Sequence, residues 1–403
     1  MQKHEAPYWM ALAHIERWGY AKTNALAIRF IHNEKISIEE FFHLPEEEWK
    51  NKYALTTPEV NNLLKAKADL PNLAFLAEKL LNEGYDIVPL NSPDYSPTLK
   101  SNLKASFSPS VLYVKGNKQL MKEKAIAIVG SRAAADISLS FTDNIAKKAS
   151  KEYKIVVSGF AKGVDKQALD SALKYKGQSI IVLPQGILTF DSGFKKYYRQ
   201  TVEGDVLVVS TFFPKSPWRK ELAMARNPII YGLADEIYVA ESSEKGGTWS
   251  GVMDGLKKKR KIYVRKPEQG EKNANLLLIK SGAVAVDFNG NETSTEEEKK
   301  DLFSQTKNVA NDLVVEMNIE QKVDVPANEL NPVEESIEKK ILQICYENEL
   351  TTKEIMKRLQ MNISIQKLNS KLKKMPQLQI SKKGRNNVFK VKETADKIPG
   401  TLF

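Results

Sequence analysis

The chain has 403 residues, of which 42% are hydrophobic and 28% charged, and this predicts two to three domains with a sizeable core. No apolar run reaches the roughly 18 residues that a membrane span needs, and the first residues lack the pattern of a signal peptide. The single cysteine, Cys345, excludes an internal disulfide framework and suits a reducing compartment. We therefore expect a soluble, cytoplasmic protein with no membrane partner.

The net charge of +11 is distributed unevenly. Residues 351–392 hold 12 Lys and Arg against one acid, whereas residues 291–335 hold 12 acids against 4 bases. A basic end that follows an acidic segment indicates nucleic-acid binding, although a solvated lysine-rich surface explains the charge equally well. All four histidines lie within the first 43 residues. Residues 124–288 therefore have neither His nor Cys, which disfavours metal sites and nucleophilic catalysis by those side chains there.

Helical spacing of apolar residues predicts a helical domain over residues 1–85, of the SAM or helix-hairpin type. Residues 86–116 read as irregular because of their Pro, Asn and Ser, except for a strand at VLYVKG. From 124 to 288, short β-branched runs alternate with helix-length segments. The predicted strands are 125–130, 154–159, 179–184, 206–211, 236–241, 261–266 and 283–288. This pattern predicts an α/β fold with a Rossmann-like, doubly wound, mainly parallel sheet, in a domain over residues 86–290.

The remaining chain divides into two segments. Residues 291–335 are polar, acidic and without periodicity, and predict a flexible linker. Residues 336–393 predict a winged helix with a helix at 336–347, a second helix capped by Thr352, a third at 363–375, and a two-stranded wing around residues 383–385. Cys345 is expected in its core. Basic side chains predict phosphate contacts to duplex DNA, although such a domain also serves protein contacts: Lys367, Lys371, Lys374, Lys383 and Arg385.

In an open α/β sheet, ligands bind beyond the carboxyl ends of the strands, where glycine turns and helix N-termini present N–H groups to anions. Four such turns occur here, at IVGSR, SGFAKGVD, LPQG (183–186) and EKGGTWSG, although glycine at a single turn is more often simple turn chemistry. The candidate DNA-binding residues are Gly130, Ser131, Arg132, Ser158, Gly159, Phe160, Lys162, Gly163, Arg226, Asn227, Gly246, Gly247 and Thr248. Phe160 would either stack on a base or fill the core. Neither a dinucleotide-binding nor a P-loop motif occurs at these turns, and we expect no cofactor and no metal.

In order along the chain, these motifs resemble the DprA/Smf (DNA-processing protein A) family. The resemblance rests on Gly130–Ser131–Arg132, on the SGFAKGVD segment from Ser158 to Asp165, and on Arg226–Asn227. It implies single-stranded DNA bound in a basic pocket, with Arg132 and Lys162 on phosphates, and a homodimer. It also implies handing of DNA to a RecA-type recombinase in recombination or natural transformation.

The chain also departs from the family pattern. Lys162 replaces an arginine, Leu169 a histidine and Pro228 the second arginine of an RNR motif, and Thr211 stands where an acid is usual. The leading hypothesis is therefore a divergent, non-enzymatic DNA-binding protein. Two alternatives stay open. One is a DprA-like regulator or antitoxin in a toxin–antitoxin or anti-phage system, with a cognate toxin as partner. The other is a LOG-like nucleotide-processing enzyme, for which KGGTWSGV lacks the expected acid.

Overall fold

A computed structural model describes residues 2–293 and, toward the C-terminus, 341–342, 344–345, 349–359, 368–369, 372, 375, 378–383 and 386–391. The predicted linker, 291–335, lies outside the described residues from 294 onward. The chain divides into two compact units, Met1–Ser304 and Gln305–Phe403. None of the helices in these described ranges is long and apolar enough to cross a membrane.

The first unit begins with helices, as predicted, and their apolar faces meet in one core. They are α1 (Ala6–Ala13), α2 (Tyr20–Ile28), α3 (Ile38–His43), α4 (Glu46–Asn51), α5 (Thr57–Ala68) and α6 (Leu70–Asn82). Buried aromatic rings dominate that core, with Phe30 stacked on Phe41 at 4.6 Å and Trp49 fully buried beside them. Buried residues of the same cluster continue into the neighbouring sheet. The boundary near residue 85 therefore stays a prediction.

A nine-stranded sheet forms the centre of the unit. Its strands are β1 (Asp86–Pro89), β2 (Val111–Gly116), β3 (Ala125–Gly130), β4 (Ile155–Ser158), β5 (Ser179–Val182), β6 (Val206–Ser210), β7 (Glu236–Glu241), β8 (Lys261–Arg265) and β9 (Val284–Val286). They lie in the order β1-β2-β6-β5-β4-β3-β7-β8-β9. Strands β3 to β9 pair in parallel, whereas β1–β2 and β2–β6 are antiparallel. The predicted Rossmann-like, mainly parallel α/β fold is confirmed.

Helices cover both faces of this sheet because the strands are apolar on both sides. They are α7 (Pro97–Phe107), α8 (Asp136–Lys151), α9 (Val164–Lys174), α10 (Asp191–Lys196), α11 (Tyr198–Glu203), α12 (Lys220–Ala225), α13 (Asn227–Leu233), α14 (Gly247–Lys257) and α15 (Asn275–Lys280). In β3, Ala127 faces the core under α7, α13 and α14, whereas Ile128 faces the core under α8 and α9. The chain fills the sheet in one direction from β3 to β6 and in the other from β7 to β9. The switch point therefore lies between β3 and β7, where ligands of such sheets bind.

Two expectations for this unit need correction. Residues 86–89 are not irregular but form β1, an edge strand paired with β2 from Asp86 opposite Val114 to Pro89 opposite Val111. Proline is tolerated there because the strand is at an edge and short. Several predicted strands also end one or two residues too late, since Gly159, Pro184 and Thr211 follow the strands rather than belong to them. Those residues leave the sheet to form turns.

The second unit is described by itself. It contains α16 (Thr352–Arg358) and a three-stranded antiparallel sheet of β10 (Leu350–Thr351), β12 (Asn386–Val391) and β11 (Leu378–Lys383). The wing strands are as predicted, and β10 adds a third strand. The cap of α16 is Thr351 rather than Thr352, because the Thr351 side chain accepts from the Glu354 backbone in a capping box. Cys345 is buried among Ile341, Leu350 and Phe389, as expected of a core residue.

Candidate functional site

Two of the predicted turns meet at the switch point between β3 and β7. The Ser131 backbone N–H donates to the Glu241 carbonyl at 3.0 Å, which continues the β3–β7 pairing past the end of the sheet. The Thr248 hydroxyl, in the first turn of α14, donates to the Gly130 carbonyl at 3.1 Å. The β3 turn is thereby fixed against the N-terminus of α14.

The SGFAKGVD turn after β4 packs directly against the β3 turn. Gly163 has φ of +79°, and a Cβ at this position would lie 2.3 Å from the Ser131 carbonyl oxygen. Val164 donates its N–H to that same oxygen at 3.2 Å. Glycine is required at 163 because both the backbone angle and the close approach exclude a side chain. Ser158 faces the protein interior, because its buried hydroxyl donates to the Asp165 carbonyl at 2.6 Å.

Arg226 is the centre of the arrangement. It is 3% exposed, and its Nη2 lies 3.6 Å from Asp165 Oδ2 while Nη1 donates to the Val182 carbonyl at 3.3 Å. The guanidinium lies over Gly159, where an added Cβ would come within 1.3 Å of Nη1. Its Nε has no hydrogen-bond partner among the described residues. A buried guanidinium that lines a cavity and has an unpartnered N–H is suited to donate to an anionic group.

Burial shifts both members of this ion pair. It raises the pKa of Asp165, against the lowering effect of Arg226 and of backbone N–H donors at Ala161 and Gly159. It lowers the pKa of Arg226, against the raising effect of Asp165. Each pKa shift therefore reflects removal of the charged group from water, and the opposite charge of the partner partly offsets that shift.

The last predicted turn forms the opposite wall. Gly246 has φ of +109°, and Gly247 opens α14 so close to Asn227 that a Cβ would lie 2.8 Å from the Asn227 amide nitrogen. Lys245 precedes them and is exposed. Arg226 and Asn227 therefore lie between the β4 turn and the α14 N-terminus. The structure thus brings together the four segments that hold the candidate DNA-binding residues, and the LPQG turn adds Pro184 and Gln185 beside them.

These turns line two adjoining cavities of about 340 and 320 Å³. Both include Arg132, Ala161, Trp218 and Arg226 in their walls, so they form one groove with Arg226 at its middle. The first cavity extends to the α14 N-terminus and the second to Phe160 and Lys162. We call the two cavities together the switch-point groove.

Exposed cations and aromatic rings surround this groove. Arg132 and Lys162 are exposed at its rim. Phe160, at φ of +60°, is half-buried with its ring edge-to-face against Phe190 at 4.9 Å and Tyr197 at 5.8 Å. The ring therefore packs partly against the core, while the residue still lines the groove.

Sequence reasoning missed Trp218, which is 51% exposed and lines both cavities. The sequence explains Lys220 equally well as a residue of a site or of a solvated helix face, and the structure places it in the wall of the first cavity. The available signal was a large aromatic residue in a polar loop after β6. A loop of this kind lies at the carboxyl ends of the parallel strands, where ligands of such sheets bind.

The predicted phosphate contacts of the winged helix are not located. Lys367, Lys371, Lys374 and Arg385 lie outside the described residues, and of Lys383 only the backbone is described, at the end of β11. They stay predictions. Among the described residues, no cluster of three or more His, Cys, Asp or Glu side chains could hold a metal ion.

The model of one family, DNA recombination-mediator protein A, matches residues 86–297, which is more than half of the chain. The chain is 31% identical over 156 residues to DNA processing protein DprA of Streptococcus pneumoniae, a match that spans 39% of this chain and 55% of that protein. It is 25% identical over 219 residues to DprA of Bacillus subtilis, covering 54% of this chain and 73% of that one.

The fold is also similar to a solved structure. The X-ray structure of DNA processing protein A from S. pneumoniae superposes with a TM-score of 0.58 at 22% identity, covering 71% of this chain and 95% of that chain. The family match contains the β3 turn, the SGFAKGVD turn, Arg226–Asn227 and the α14 N-terminus. The chain therefore belongs to the DNA recombination-mediator protein A (DprA/Smf) family.

Proposed function

We propose that this protein binds single-stranded DNA in the switch-point groove and does no chemistry on it. The observation that carries the proposal is Arg226, buried at the junction of two cavities with Arg132 and Lys162 at their rims. The relatives are named DNA processing proteins, which supports DNA as the ligand. The protein family and the charge of the groove thus favour the same class of ligand.

The strand's phosphates would meet the cations of the groove. Arg132 and Lys162 are exposed and project from turns that are fixed by backbone hydrogen bonds and by Gly163. Lys220 and Lys245 add positive charge along the first cavity. Because the turns are rigid, only the side chains have to be ordered when these cations bind phosphate, and their contribution falls as salt rises.

The bases would stack on aromatic rings. Trp218 presents half of its surface to solvent between the two cavities, and Phe160 lines the second. Stacking on a side chain requires a base that is not already paired and stacked in a duplex. The aromatic rings therefore favour a single strand over duplex DNA.

Two carboxylates, Asp165 in the wall of the groove and Glu241 at the end of β7, support binding rather than catalysis. Asp165 is paired with Arg226 and accepts backbone hydrogen bonds. Glu241, at the end of β7, accepts from the Ala135 N–H at 2.9 Å and from the Ser138 hydroxyl at 2.8 Å. Both carboxylates are therefore occupied in holding turns, which argues against the LOG-like alternative.

The proposal extends to partners. The family is described as a recombination mediator, and we propose that this chain, as a homodimer, passes bound DNA to a RecA-type recombinase. The winged helix would then add a contact to duplex DNA or to protein. The homodimer, the recombinase and the winged-helix contact are supported by the family and by the sequence.

The groove is tested by fluorescence anisotropy with labelled single-stranded and duplex oligonucleotides over a salt series. An Arg132→Ala/Lys162→Ala variant is expected to bind single strands at least tenfold more weakly. The slope of log K against log salt concentration should fall in magnitude by about 1.4, at about 0.7 per phosphate contact. Lys147→Ala/Lys151→Ala is the matched control, since it removes the same charge from exposed positions of α8. Equal loss in both variants, or binding of duplex alone, would refute the groove as the DNA site.

A further inference from the structure

Five consecutive basic residues, Lys257 to Lys261, extend from the last residue of α14 to the first residue of β8. They therefore lie at the amino ends of the parallel strands, whereas the groove lies at the carboxyl ends. Lys257, Lys259 and Lys261 are exposed and, within the described part of the chain, have no ion-pair partner. Lys258 pairs with Asp254 at 2.7 Å, and Arg260 donates to the Ala234 carbonyl. We call Lys257–Lys261 the basic run.

Helix α14 joins the groove to the basic run. Its N-terminus forms a wall of the groove, and the run begins at its last residue. A third cavity of about 140 Å³ lies along α14 between these ends and is lined by Gly247 and Gly251 near the groove and by Lys258 and Arg260 near the run. It shares Met224, Asn227, Tyr231 and Gly247 with the first cavity. A furrow thus runs from the groove to the basic run.

An aromatic ring stands beside the run. Phe107, at the C-terminus of α7, is 61% exposed, and the Lys258 ammonium lies 5.3 Å from its ring centroid. Asn102 and Leu103 of the same helix line the furrow. An exposed ring flanked by cations is the combination that single-strand binding surfaces use for base and phosphate.

Helix electrostatics explains part of this charge. Cations in the last turn of a helix interact favourably with its dipole, and this accounts for Lys257 and Lys258. It does not account for Lys261, which begins β8, or for Lys259, which has φ of +55° where glycine or asparagine is usual after a helix.

We propose that the furrow and the basic run form a second DNA-binding segment, which holds the single strand after it leaves the switch-point groove. This inference rests on the proposed function of the groove. The bound DNA strand passes along α14 to the amino ends of the parallel β-strands. There, the exposed lysines contact its phosphates, and Phe107 offers a surface to a base.

The helix sets the length of strand involved. Its 11 residues span about 16 Å at 1.5 Å per residue. At the 3.4 Å spacing of a duplex strand, about five further nucleotides cover that distance, and an extended strand needs fewer. A short oligonucleotide can therefore occupy the groove alone, whereas a longer one reaches the basic run.

The test compares oligothymidylates of about 5 and about 15 nucleotides by anisotropy over a salt series, with the full chain. The Lys257→Gln/Lys259→Gln/Lys261→Gln variant should bind the longer oligonucleotide about tenfold more weakly. The slope of log K against log salt concentration for that oligonucleotide should fall in magnitude by about 2. Binding of the short strand should stay as in the unchanged protein. Phe107→Ala should weaken the longer strand only. Thermal unfolding verifies that each variant is folded.

The control variant, Lys147→Gln/Lys151→Gln/Lys176→Gln, removes the same charge from exposed positions beside α8 and α9, on the other face of the sheet. If the longer strand binds the basic-run variant as it binds this control, the second segment does not exist. Equal weakening of short and long strands would also overturn the inference, since it would mean general attraction. Failure of the groove is distinguished because the unchanged protein would then not bind the short strand.

Discussion

Replacing Gly159 by alanine tests whether Arg226 is held by the turn after β4. The added Cβ would lie 1.3 Å from Nη1, 2.1 Å from Cζ and 2.3 Å from Nη2 of Arg226, so the guanidinium has to leave its position. Gly159 does not have the positive φ that disfavours a side chain, so the backbone itself accepts alanine. Any large effect must therefore come from Arg226.

The magnitude follows from what the guanidinium loses. It gives up the ion pair with Asp165 at 3.6 Å and the hydrogen bond to the Val182 carbonyl at 3.3 Å. Hydrogen bonds to charged groups contribute about 1.5–3 kcal/mol, and breaking a buried pair costs about 3–5 kcal/mol. Because the displaced side chain can extend into the hydrated groove, we expect a loss of about 2–4 kcal/mol in unfolding free energy. Single-stranded DNA should also bind more weakly.

The assay is a double-mutant cycle by urea unfolding with Gly159→Ala and Arg226→Ala. In the Arg226→Ala background the clash is absent, so Gly159→Ala should cost little, and the coupling energy should exceed about 1.5 kcal/mol. Gly19→Ala is the control, since Gly19 has open space around its Cβ position and an ordinary φ. It should change stability by at most about 1 kcal/mol, because the entropic gain of alanine and its weaker preference for this N-cap position of α2 oppose each other. Additivity of the two changes within about 0.5 kcal/mol would show that the turn after β4 does not hold Arg226.

Three further changes have defined outcomes. Burial lowers the pKa of His14 to about 4, against about 6.5 in the unfolded chain. Below pH 6.5 the unfolded chain therefore takes up a proton that the folded chain does not, so the unfolding free energy should fall by about 2–3 kcal/mol between pH 6.5 and pH 4. The same fall in the His14→Gln variant would contradict this. Trp218→Leu should weaken binding of a base-containing strand but not of an abasic one, and Trp218→Phe should retain most of it; equal loss for both strands would exclude stacking. Lys259→Gly should raise unfolding free energy by up to about 1 kcal/mol, because it relieves the positive φ, and should weaken the longer strand only; a stability decrease would exclude that strain.

The parallel strands could be predicted from the sequence because each is a short β-branched run buried on both faces. EIYVAE matches β7 from Glu236 to Glu241 without error. The strand β1 could not, since it has four residues and ends in Pro89, and its pairing with β2 depends on the sheet already present. Local pattern therefore identified the sheet but not its irregular edge.

The candidate site was predicted in its segments but not in its contacts. Glycines at strand ends indicated the turns, since backbone conformation is a local property. The packing of Arg226 over Gly159 joins residues far apart in the chain, and no local pattern encodes it. Trp218 was missed because its loop has no glycine of the kind that marked the other turns, although an aromatic residue in a loop after β6 was a signal; only the folded sheet places the ring between two cavities.

Photocrosslinking of a single-stranded oligonucleotide to the full chain, with mass-spectrometric mapping of the linked peptides, would locate the DNA-binding surface. Crosslinks are expected at the aromatic residues of the switch-point groove, Trp218 and Phe160, and should be lost in the Arg132→Ala/Lys162→Ala variant. Crosslinks confined to residues 305–403 and unaffected by that variant would exclude the groove and assign DNA binding to the C-terminal unit.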